Sequence, residues 1–102
     1  MQIDQCIKCA RKHLRQAAIT WLESQKGHPD KWDMCQGHLA EAEDALIGVD
    51  NTLANMIRDR RIDLETDMHS YINFNYIFEQ FDSLFEQKGE YYANAHSPGK
   101  NV

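Results

Sequence analysis

The sequence predicts an all-α protein, a compact bundle of about four helices. Three observations predict it. Apolar residues recur at alternating intervals of three and four, the period of a helix face, and no stretch keeps the two-residue alternation of a half-buried strand. Glycine and proline, five and two in 102 residues, fall mostly between the periodic runs and so punctuate them. The connections left between runs are short, which makes successive helices antiparallel neighbours.

The first run places Ile3, Ile7, Ala10, Leu14, Ala17 and Trp21 on one helix face. Gly27-His28-Pro29 ends it, and Pro29 suits the first turn of a second helix because its missing N–H would have no partner there. That helix has the stripe Trp32, Cys35, Leu39, Ala42 and Leu46, weakened by about 1 kcal/mol at Gly37. A second break, Gly48-Val49-Asp50, offers Asp50 as N-cap to a third helix with Leu53, Met56, Ile57, Arg60 and Leu64 turned inward. Asp67 to His69 is a softer junction. Beyond it Tyr71, Phe74, Phe78, Phe81 and Phe85, flanked by Ile77 and Leu84, form the strongest pattern in the chain. The expected domain spans 1–88, and 89–102, which lacks any period, is expected to be a flexible C-terminal tail.

A chain that is 42% hydrophobic and 26% charged fits one soluble domain with a modest core. Its thin stability margin would gain from a metal staple or from oligomerisation. Eleven Lys and Arg against sixteen Asp and Glu give a net charge of -5, the wrong sign for affinity based on neutralising phosphates, so nucleic acid is disfavoured as a partner. No apolar run approaches the roughly 18 residues of a membrane span, so no membrane role is expected. The first residues carry Asp4 and Lys8 where a signal peptide needs an apolar segment, and a cytoplasmic location is expected. Three cysteines, an odd number, argue for metal binding, redox chemistry or plain burial over a disulfide framework.

Cys6-x-x-Cys9-x-x-x-His13 is the sharpest local signal. At i, i+3 and i+7 its two thiols and one imidazole share a helix face, a donor set that Zn²⁺ accepts in tetrahedral sites. His38, three residues after Cys35, is the candidate fourth ligand. A symmetric hairpin about Gly27-His28 would put His38 level with Ala17, one turn beyond His13, so a skewed crossing is needed. Otherwise Glu43, Asp50, His69 or a second subunit would complete the site. Set against this structural zinc are two plainer readings: cysteines buried as small hydrophobes beside a surface histidine, and a redox dithiol.

The run Cys6-Ile7-Lys8-Cys9-Ala10-Arg11-Lys12-His13-Leu14, with Gly37-His38-Leu39-Ala40-Glu41-Ala42-Glu43 after it, resembles small, mostly uncharacterised proteins of bacteriophages and prophages. The resemblance covers less than half the chain. It implies that Cys6, Cys9, His13 and His38 form one functional set and that the setting is a phage, and it carries no established activity.

Arg60 lies within its helix's apolar stripe and so requires either a carboxylate partner or an external anion. The acidic residues Glu41, Glu43, Asp44, Asp59, Asp63, Glu65 and Asp67 invite comparison with all-α nucleotide pyrophosphohydrolases. Asp59 and Asp63 point away from the third helix's stripe, and Glu41 and Asp44 from the second's, so a solvated acidic face is the better reading. On the fourth helix Met68, Ile72 and Tyr76 recur every four residues opposite the phenylalanines, an apolar strip suited to pairing with a second copy. The sequence therefore points to a small helical binding or regulatory module with structural zinc, a homo-oligomer that binds a host protein or a small anionic ligand. The alternatives are a nucleotide-phosphate hydrolase, a thiol-redox enzyme and a protein that sequesters anionic nucleotides.

Overall fold

The computed structural model describes residues 3–84. Helix α1 spans Ile3–Gln25, α2 Asp30–Leu46 and α3 Asn51–Thr66, and a fourth helix, α4, starts at 74 and continues through 84. There is no strand among the described residues. Phe85 and the expected tail lie outside them.

Each break has a local cause. Gly27, at φ +101°, turns the chain out of α1, and the His28 N–H bonds back to the Glu23 carbonyl at 3.2 Å, closing the helix as a Schellman motif. Gly48, at φ +84°, does the same after α2, where the Val49 and Asp50 N–H groups both bond to the Leu46 carbonyl. Asp50 caps α3 as its sequence position predicts, its side chain accepting from the Leu53 N–H at 3.0 Å. Helix α4 starts later than its hydrophobic pattern predicts, because Asn73 caps it: the Asn73 Oδ1 accepts from the Tyr76 N–H at 3.1 Å. Residues 71–73 lie outside any helix, with the Phe74 N–H bonded back to the Ile72 carbonyl at 3.1 Å, and their side chains alternate between exposed and buried. Ile72 turns inward, 2% exposed, while Tyr71, expected in the core stripe, stands 76% exposed with its ring edge-on to Trp21.

The apolar strip expected of Met68, Ile72 and Tyr76 is corrected by the same facts. Met68 lies in the turn after α3, Ile72 in the core and Tyr76 on the surface of α4, so no helix aligns the three. A four-residue spacing places side chains on one face only where the backbone is helical, and here the helix begins two residues after Ile72.

The stripes of α1, α2 and α3 otherwise meet as their periodicity predicts. Ile7, Leu14, Leu39, Leu46, Ile57, Leu64, Ile77 and Phe81 are fully buried in one core. Helix α1 packs on α2 and α2 on α3, while α1 and α3 make no contact and so face each other across the diagonal. Helix α4 closes the bundle against α1, running antiparallel to it. Arg11 pairs with Asp82 at 3.1 Å and lies over the Phe78 ring, and ten residues on, Trp21 packs against Phe74. Two indoles fasten the ends: Trp32 Nε1 donates to the Leu64 carbonyl in the last turn of α3, and Trp21 Nε1 to the Ser70 carbonyl.

Candidate functional site

His13 and His38 meet across the α1–α2 seam, their Nδ1 atoms 3.1 Å apart. The register is one turn tighter than a symmetric hairpin gives. The last turn of α1 is held elsewhere, Trp21 by Ser70 and Gln25 by the Met68 carbonyl at 2.8 Å, so α1 overhangs the start of α2 and His13 comes level with His38.

Two Nδ1 atoms at this distance share one proton: one ring donates its N–H and the other accepts, which requires opposite tautomers. A proton added at the accepting Nδ1 would destroy this bond by setting two N–H groups against each other. His38 is held below the ordinary histidine value of 6.5, first by burial and next by His13, with Glu41 opposing. The sign of the linkage follows. The unfolded chain binds a proton on this ring at higher pH than the folded one, so the contribution of His38 is complete above about pH 6.5 and is lost as pH falls through the depressed value. Urea unfolding between pH 7.5 and 5.5 is therefore expected to show falling stability in wild type and a shallower fall in His38→Asn. Equal slopes for the two proteins would show that His38 does not titrate in this window.

The cysteines divide. Cys35 is fully buried in the core against Thr20, and burial pushes its thiol up to about 11. It packs as a small hydrophobe. Cys6 and Cys9 line a groove of about 650 Å³ with Glu41, Asp44, Ala45 and Ile47. Cys9, exposed, is one turn from His13 along α1, and Cys6 is two turns away, roughly 10 Å along the axis. Sharing a face does not make short side chains converge. Among the described residues no three His, Cys, Asp or Glu side chains stand together as a group that could hold a metal ion. The structure thus brings His13 and His38 together, puts Cys9 and Glu41 one turn along on their respective helices, and leaves Cys6 furthest out.

Arg60 is half-exposed at the edge of the α3 stripe, its guanidinium on Asp63 of the same helix at 2.9 Å. Arg60 thus has a carboxylate partner, one of the two its stripe position called for, while its neighbour Arg61, less exposed, makes the pairing between helices. Arg61 joins α3 to α2 through Glu43 at 3.1 Å and also holds Glu65. With Glu43, Asp63, Glu65 and Asp82 each on an arginine and Asp67 accepting from the His69 N–H, these carboxylates are occupied locally. Glu43 and His69, the alternative ligands, lie in separate contacts, His69 against Gln25; Asp50 caps α3.

Comparison with protein families, curated sequences and solved structures finds no match to this chain. No helix among the described residues is long and apolar enough to cross a membrane.

Proposed function

We propose that the protein is a small helical binding module whose α1–α2 seam takes a structural Zn²⁺ on His13 and His38. The observation that carries this reading is the 3.1 Å separation of the two Nδ1 atoms. Zinc–nitrogen bonds of 2.0–2.1 Å in a tetrahedron set their two nitrogens about 3.3–3.4 Å apart, so the separation need grow only by a few tenths of an ångström, while the rings, whose centroids 5.4 Å apart put the two Nδ1 atoms nearly in line, must also turn to aim both lone pairs at one ion. The depressed His38 value supports it too, because the ligand form of histidine is the neutral one. Cys9, at i-4 from His13, and Glu41, at i+3 from His38, complete four ligands by side-chain rotation, two from each helix. Cys6 serves the groove and not the metal. A stapled seam fixes the two helices as a rigid platform, the property a binding module needs and a catalyst does not by itself explain.

Native mass spectrometry and thermal melts with added Zn²⁺ test this. One ion per chain is expected, with stabilisation of about 2.7 kcal/mol at a hundredfold excess over Kd. His38→Ala should lose both mass shift and stabilisation, Cys9→Ser most of the affinity, and Cys6→Ser neither. If wild type gains neither mass nor stability from zinc, the pair is a plain hydrogen bond.

A further inference from the structure

The outward face of α1 carries one continuous stripe. Lys8, Lys12, Arg15, Ile19 and Leu22 follow at intervals of four, three, four and three, which at about 100° per residue keeps them within roughly 80° of arc. All five are exposed, the two aliphatic residues at 46% and 49%. The first half of the stripe is strongly cationic. Residues 8–15 hold Lys8, Arg11, Lys12 and Arg15 and no carboxylate, in a chain whose net charge is -5. These four cations line a shallow hollow of about 400 Å³. Arg11 is engaged by Asp82, while among the described residues Lys8, Lys12 and Arg15 have no ion pair.

We infer that this stripe docks an amphipathic helix of another protein, one with carboxylates opposite Lys8, Lys12 and Arg15 and aliphatic side chains opposite Ile19 and Leu22. Alternating intervals of four and three are those at which one helix lays a seam against another. The charged half steers the encounter and sets orientation, and the aliphatic half supplies apolar burial. Nucleic acid fits less well, since phosphates gain nothing from Ile19 and Leu22 and the rest of the chain is acidic. A second copy fits less well too. The exposed acidic and aliphatic face of α3, with Asp59, Ile62 and Glu65, lies across the diagonal from α1, so contacts between copies would run head to tail and lack the self-complementarity of the common twofold dimer.

The inference names the partner class of the binding module proposed above, but the stripe lies about 140° around α1 from His13, so its test is separate from the zinc test. The probe is a labelled three-heptad helical peptide with glutamates on the seam of one half and leucines on the other, followed by fluorescence anisotropy. Wild type is expected to bind it with an affinity that falls as salt rises. The double variant Lys12→Glu, Arg15→Glu should weaken binding at least about tenfold, and Leu22→Asp by a similar factor, with melting curves unchanged because all three positions are exposed. Absence of binding at high micromolar peptide would overturn the inference. So would equal affinity for a control peptide with serine in place of leucine, or for a single-stranded oligonucleotide, either of which would reduce the stripe to a general attraction for polyanions.

Discussion

Ile72→Glu is expected to leave much of the chain unfolded at 37 °C, with a loss of about 3–5 kcal/mol out of a total of roughly 5–15 kcal/mol. Ile72 is buried in the same core as Phe74, Ile77 and Phe81, where a carboxylate would have neither water nor a cation to meet. The four-residue spacing suggests the opposite, a folded monomer freed from a dimer. The control is Tyr76→Lys, half-exposed on α4 and expected to change stability by no more than about 0.5 kcal/mol. Urea unfolding followed by circular dichroism separates the two outcomes. An Ile72→Glu protein that unfolds with the wild type would show that residues 71–73 do not seat Ile72 inward.

Phe81→Ala should cost a similar amount, about 3–5 kcal/mol, because Phe81 is the largest fully buried side chain among the described residues and its removal leaves a cavity among packed neighbours. For a domain of this size each kcal/mol moves Tm by about 4–8 °C, so a fall of well over 10 °C is expected in a thermal melt. Phe78→Ala, one turn earlier and only partly buried beneath Arg11, is expected to cost clearly less. The reverse ranking would mean that α4 presents a different face to the bundle.

The stripes of the first three helices were legible because their periodicity runs unbroken between strong punctuation. Leu14, Leu39, Leu46, Ile57 and Leu64 are all buried where the spacing puts them. The start of α4 was not, because Tyr71 and Ile72 continue the apolar pattern of the helix backwards, while the signal that ends it, Asn73, is a single capping residue with no glycine or proline beside it. Half of the candidate site was legible. His13 and His38 stand out as ligand types on adjacent helices, but their meeting depends on where α1 stops overlapping α2, which Trp21 and Gln25 decide through contacts some 45 residues away. Sequence spacing carries no information on such a contact. The bridge from Arg61 to Glu43 went unread for the same reason: adjacent residues differ by about 100° on a helix, and only the position of Glu43 on α2 shows which arginine reaches across.

The joining of α4 to α1 has a consequence for the order in which the molecule can assemble. Arg11 and Asp82 are 71 residues apart, whereas α1–α2 and α2–α3 form around turns of a few residues. On a chain made from its N-terminus, the hairpins are complete while the trough between α1 and α3, floored by Leu14, Leu39 and Ile57, is still open to water. Only when Phe74, Ile77 and Phe81 have emerged can it be filled, so until then Leu14, Leu39 and Ile57 lack the side chains that cover them in the finished core. A chain stopped before residue 74 would have no α4 to fill that trough, and its core would lack Phe74, Ile77 and Phe81 altogether.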